Sequence, residues 1–219
     1  FEVIRALQKL GMSLGEIKEY MENRSPERFM SMIDGKKRQI DEEIRRPKNM
    51  KRFILHEEES VRLAMNTALD EPRLVERDRE YLLVSDISAG LERKAAVEIA
   101  EHVRMQEKYN GAVGAVGSIY LGEDLERGIY DRCVKVYTRL DKKTVSHRGQ
   151  NRPEGTYVEL YSRGHLWNME KSYRLITAFA GERGIRLGKI WYEDLMLDEL
   201  TVKAYEQYIA KVMVPVGNP

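Results

Sequence analysis

A chain of 219 residues with 37 Lys and Arg against 36 Asp and Glu carries a net charge of +1, which gives no global attraction to nucleic acid. Its apolar fraction of 42% and charged fraction of 33% describe a globular chain with a charge-rich helical part; no signal peptide is evident, and no apolar run approaches the roughly 20 residues of a membrane span. One cysteine, Cys133, excludes a disulfide framework or a thiolate metal site within one chain, so a cytoplasmic location fits best.

Val3, Ile4, Leu7 and Leu10 have the spacing of a helix face, and Gly11 stops that helix. Ser13 is placed to cap a second short helix, with Glu16 completing a capping box and Leu14, Ile17 and Met21 on one face. This helix ends near Asn23-Arg24. From Pro26 to about Leu69, Ile33, Ile40, Ile54 and Val61 recur on a seven-residue repeat, with Pro47 in the slot between and Ile44, Met50 and Met65 close to the line. Roughly forty residues at about 1.5 Å each make a rod near 60 Å long. Such a rod, so thinly apolar, suits a dimerisation arm better than a solvated helix packed along its own domain. Pro47 removes a backbone donor and costs about 3 kcal/mol in an intact helix interior. Either the arm kinks near Arg46, or two helices meet there, or residues are missing from the sequence.

The run Ile4-Arg5-Ala6-Leu7-Gln8-Lys9-Leu10-Gly11-Met12-Ser13-Leu14-Gly15-Glu16-Ile17-Lys18 resembles the last two helices of the MerR-type DNA-binding domain. In that family a long dimerisation helix follows at once, as it does here. The resemblance implies a homodimer that binds promoter DNA and acts with RNA polymerase there. It also implies a recognition helix and wing before Phe1, where the chain starts mid-pattern and without Met. No base-contacting residue is carried over.

After Pro72 the texture changes to strands. Leu74 to Ile87 reads as strand, Gly90 to about Tyr109 as a helix burying Ala96, Ile99, Ala100 and Val103, and Gly111 to Leu121 and Ile129 to Leu140 as strands. The order repeats in Tyr157 to Ser162, a helix over Met169 to Gly184, Leu187 to Met196 and Tyr205 to Val216. Ser88-Ala89-Gly90 lines up with Ser162-Arg163-Gly164. Two β-α-β-β halves build a sheet with both helices on one face. The fold class is therefore α+β: 1–24 as the end of a winged-helix domain, 25–69 as the arm, and 70–219 as the duplicated domain.

This last part resembles the GyrI-like effector-binding domain, which is also found behind MerR-type arms in multidrug-responsive activators. The resemblance rests on the doubled β-α-β-β order, on Trp191-Tyr192-Glu193-Asp194-Leu195 and on Val212-Met213-Val214-Pro215-Val216. Glu193 shares a strand face with Trp191 and Leu195. That face either meets water or an Arg partner, or it buries an anion awaiting a cation. The resemblance favours the second, since the matching Glu in relatives is the counter-ion of cationic drugs. It also implies that Tyr208, Glu206 and Tyr130 belong to the pocket, within an aromatic supply that includes Tyr161 and Trp167. Val113 and Gly164 fall near positions where the family has aromatics, and Lys211 where relatives often have an acid. The ligand is then a small hydrophobic compound, aromatic or cationic, with a neutral one left open, and Trp167 could supply the missing ring.

His56, His102, His147 and His165 lack metal spacing and suit surface or helix-face positions; no metal or cofactor is implied. Gly111 to Gly122 contains Gly114 and Gly117 but lacks the helix that phosphate cradling needs, and reads as a strand with tight backbone packing. The sequence thus describes a ligand-responsive transcription regulator, not an enzyme. Two rivals remain: a hydrolase using Glu193 beside Trp191, and a drug-sequestering binding protein.

Overall fold

The computed structural model describes residues 2–88, 92–108, 112–140, 150–164 and 169–217. Trp167, His147, His165, Ala89 and Gly90 lie outside them. Two compact units divide at Met50/Lys51, inside the long helix. No helix among the described residues is long and apolar enough to cross a membrane.

In the first unit, α1 (Glu2–Lys9) and α2 (Leu14–Glu22) lead into the long helix α3 (Pro26–Asn66). Ser13 and Glu16 form the expected capping box: Glu16 Oε2 accepts from Ser13 N at 2.7 Å and Ser13 Oγ accepts from Glu16 N at 3.3 Å. Leu7, Met12 and Ile17 are buried together, with Tyr20, Met21 and Met32 around them. Val3, Ile4 and Leu14 are exposed, so each expected apolar face is narrower than its letters suggested. Helix α3 runs as one element of 41 residues through Pro47. Along it Ile40, Ile44, Met50, Ile54 and Met65 are exposed, which is what an unpartnered seam presents.

The second unit is an eight-stranded antiparallel sheet in the order β1-β6-β8-β7-β3-β4-β2-β5. Its strands are β1 (Arg73–Arg77), β2 (Glu80–Asp86), β3 (Ala112–Leu121), β4 (Lys135–Leu140), β5 (Gln150–Arg152), β6 (Gly155–Arg163), β7 (Ile190–Leu197) and β8 (Ile209–Pro215). The duplication holds: β2-α4-β3-β4 and β6-α6-β7-β8 meet at the β3–β7 pair, with helices α4 (Glu92–Lys108) and α6 (Glu170–Glu182). Each half also has a lead strand that crosses over, β1 to β6 and β5 to β2. Asp78-Arg79 joins strands six places apart in the sheet, and Pro153-Glu154 does the same. Six strand spacings flattened out would span roughly 29 Å, while a two-residue link reaches about 10 Å. The sheet must therefore curl.

The curl separates two faces. Trp191, Tyr120, Val158, Leu160, Val212 and Val214 share one core with Ile176 of α6. Tyr192, Tyr137, Tyr157, Leu82, Ile119 and Met213 fill the inner face. Ala64, from the last turns of α3, packs there with Tyr161, Met196 and Ile209.

Several expected elements are corrected. The 74–87 strand is broken in two at Asp78-Arg79, and residues 129–134 are irregular before β4. A 3-10 turn (Tyr205–Gln207) precedes β8. Among the described side chains of α4, His102 is buried and hydrogen-bonded to Ser85 Oγ at 2.8 Å and Thr138 Oγ1 at 3.0 Å, while Ala96, Ala100 and Val103 are exposed. Two hydroxyls on the sheet face the helix and need a polar partner there. A short helix α5 (Gly122–Glu126) does follow the Gly-rich strand, but Glu123 and Asp124 in its first turn are set against an anion. Gly117 shows the expected close packing, since a Cβ there would lie 2.4 Å from the Tyr137 ring.

Candidate functional site

Alternation along β7 places neighbouring acids on opposite faces of the sheet. Glu193 points to the helix side with Trp191; Asp194 points inward with Tyr192 and Met196. Each accepts a hydrogen bond from a buried tyrosine, Glu193 Oε2 from Tyr120 at 2.9 Å and Asp194 Oδ1 from Tyr137 at 2.7 Å. There the likeness ends.

Asp194 is saturated with charge. Lys211 Nζ lies 2.9 Å from its Oδ2, and Arg139 pairs with the same oxygen. Arg152 is buried nearby, paired with Glu80 and stacked 5.1 Å from the Tyr192 centroid. Burial alone would raise the Asp194 carboxyl, but Arg139, Lys211 and Arg152 outweigh it and hold the group well below the ordinary range. Burial draws the Lys211 ammonium down, with Asp194 opposing. Lys211 therefore neutralises Asp194 on the inner face, and does not reshape the surroundings of Glu193.

Glu193 has no cation partner among the described residues. Burial pushes its carboxyl up to about 7, the Tyr120 hydrogen bond opposing and Asp194 adding to the rise. It lines two cavities. One, of about 250 Å³, lies on the β3 side and is walled by Ile99, Ser118, Val136, Leu195, Asp198 and Glu199. The other, of about 430 Å³, lies on the β8 side beneath the start of α6, among Ser162, Arg163, Gly164, Lys171, Ser172 and Arg174.

The other expected ligand residues divide. Leu195 lines the β3-side cavity. Tyr208 is buried and donates to Glu199 Oε2 at 3.1 Å, while its carbonyl accepts from Gly164 N at 3.2 Å, so it braces both cavities from behind. Glu206 is exposed on the 3-10 turn and lines neither cavity, whereas Glu199 lines the β3-side cavity. Trp191 lies in the core, 5.4 Å from the Tyr173 ring, and Tyr130 packs 5.8 Å from the same ring off any strand. Tyr161 is on the inner face with Arg73 over its ring, because the period of two turns it away from Glu193. Gly164 takes φ = 153°, a conformation nearly closed to other residues, which explains the missing aromatic there. Tyr120 and Ser118 were legible as a strand face alternating with Ile119; Glu199 sits in a loop that no periodicity marks.

A curled, duplicated β-α-β-β sheet with a buried acid near its centre, following two short helices and a long helix with an exposed seam, is the arrangement expected from the resemblance to MerR-type regulators with a GyrI-like effector domain. The family model described as MerR, DNA binding, matches residues 1–56. The chain is similar to the multidrug-efflux transporter 2 regulator of Bacillus subtilis (strain 168), at 27% identity over 99% of this chain and 79% of the relative. Its fold is that of EcmrR in a DNA complex (TM-score 0.50, 14% identity, 100% of this chain and 82% of that one) and of the EcmrR C-terminal domain (TM-score 0.50, 11% identity, 68% and 98%).

Proposed function

We propose that the chain is a homodimeric, cytoplasmic, ligand-responsive regulator whose effector is a small hydrophobic cation held at Glu193. In this reading residues 1–24 end the DNA-binding domain, 25–69 form the dimer arm, and 70–219 sense the effector. The dimer binds promoter DNA and acts with RNA polymerase. The effector works by binding one state of the dimer better than the other, since equal affinity would shift nothing.

The observation that carries this reading is the buried Glu193 carboxylate, uncompensated by any described cation and open to two cavities. Such a charge is expensive in an apolar surround unless something neutralises it. Replacing Glu193 with Gln keeps the shape and removes the charge. Affinity for tetraphenylphosphonium, measured by calorimetry, should then fall by about 1.5–3 kcal/mol. Unchanged affinity would sink the reading.

A hydrolytic role is the second reading, favoured by one observation: a carboxyl pushed up to about 7 suits a general base at neutral pH. Ester turnover by the full chain that disappears in Glu193→Gln would support it. In the regulator reading no residue is catalytic.

A further inference from the structure

The two cavities that meet at Glu193 differ in charge. The β3-side cavity has Asp198 and Glu199 in its wall besides Glu193, and no Lys or Arg among the described residues. Its remaining lining is apolar or small: Ile99, Val136 and Leu195 among others. The β8-side cavity has Arg163, Lys171 and Arg174 against Glu170 and Glu193. Lys171 is paired with Asp70 and Arg174 with Glu170, each at 2.7 Å, while Arg163 has no partner among the described residues. The first turn of α6 also faces this cavity through Glu170, Lys171 and Ser172. No side chain caps that helix, so its leading N–H groups are not satisfied by a cap. The N-terminus of a 13-residue helix attracts negative charge. Ser172 is 5% exposed, lines the cavity, and its hydroxyl has no hydrogen-bond partner among the described residues. A hydroxyl free of described protein partners at the wall of an open cavity can donate to, or accept from, a ligand there.

The geometry points to an amphoteric effector: a molecule with a cationic apolar body on the Glu193–Glu199 side and a carboxylate or sulfonate at the α6 N-terminus, held by Ser172 and Arg163. This rests on the Glu193 reading above and narrows it. A simple lipophilic cation satisfies one pole of the cleft and leaves Ser172 and the helix end unanswered. A molecule with both charges answers each, and the two poles fix its direction in the cleft.

Rhodamine B and its ethyl ester test this, because they share one cationic ring system and differ in a single carboxylate. With the full chain at pH 8, fluorescence anisotropy should show the free acid binding about tenfold more tightly than the ester, the scale of one charge-assisted contact. Arg163→Gln and Ser172→Ala should each shrink that ratio while leaving the ester's affinity unchanged. Glu193→Gln should weaken both dyes alike. An ester that binds as tightly as the acid, or a ratio that neither Arg163→Gln nor Ser172→Ala alters, overturns the amphoteric effector while leaving the cation at Glu193 intact. If Glu193→Gln weakens neither dye, or neither dye binds the unmodified chain, the Glu193 reading fails and this inference fails with it.

Discussion

Glu193 and Asp194 are consecutive on β7, yet one is a lone carboxylate and the other the centre of a cation cluster. The peptide between them is the shortest route from the helix-side cleft to the inner face. His56, on the last turns of α3, borders the same small void as Asp194 and Arg139. Glu193 is thus one residue away from the carboxylate that borders this part of α3.

Asp194→Asn should cost about 3–5 kcal/mol of stability, because it leaves Arg139 and Lys211 buried beside each other. Urea unfolding at pH 7 measures this. The wild-type contribution has a definite pH sense. The folded carboxyl lies well below its unfolded value, so its stabilisation is present above about pH 4 and is lost as the pH falls toward the depressed value. A variant with unaltered unfolding would show the cluster to be balanced without its acid.

Cation affinity should follow the ionisation of Glu193. With its carboxyl at about 7, affinity for tetraphenylphosphonium should fall by about tenfold per pH unit below 7 and stay flat above. The folded state alone holds that proton between roughly pH 4.5 and 7, so the empty protein should lose stability as pH rises through this window. Calorimetry in buffers of different ionisation heat should also detect a proton released on binding below pH 7. No proton release there would mean that another group receives the cation.

Charges placed in the arm's seam should separate the dimer. Ile40 and Ile54 are 51% and 56% exposed in the single chain, so Asp at both positions has little to disturb within one copy. Sedimentation should change from dimer to monomer while the circular dichroism of the sheet persists. Pro47→Leu is the companion. Helix α3 runs through Pro47, so restoring the missing N–H should raise stability by about 1–3 kcal/mol. A fall would mean that the proline is required where it stands.

Gly117→Ala should be costly for its size. The added methyl would meet the Tyr137 ring at 2.4 Å, and that ring's hydroxyl donates to Asp194. Overpacking of this kind costs about 1–3 kcal/mol. Thermal unfolding should show the loss, and Gly128→Ala, with nothing within 4 Å but a φ of 79°, gives the contrast of backbone strain without a clash.

What the sequence disclosed was mostly local. The Ser13–Glu16 box, the arm and the doubled β-α-β-β order are written in spacings of three, seven and two, and each is present. Position on β7 separated Glu193 from Tyr192 correctly because alternation is rigid in a strand. Tyr161 and Lys211 fall in register with Asp194 and so point inward; Tyr161 had been counted with the aromatic supply and Lys211 judged by resemblance, and neither ground carries the register between strands. The crossing of β1 and β5 had no local signal, since β1 pairs from Arg73 with Glu159 and β5 from Arg152 with Glu80, far apart in the chain. Glu199 was hidden for a related reason: its place is set by where a loop lands.

The exchanged lead strands bear on how this domain can come into being. β1 is held by β6 and β5 by β2, so the N-terminal repeat is not finished until Gly155–Arg163, in the last third of the chain, has been made. Pairings of such long range close late and slowly. A ribosome that has released only the first repeat has released a sheet with an unmatched edge, exposed to any other nascent chain. Cutting the gene between the repeats should therefore yield two insoluble fragments, and mixing them during refolding should restore one soluble particle.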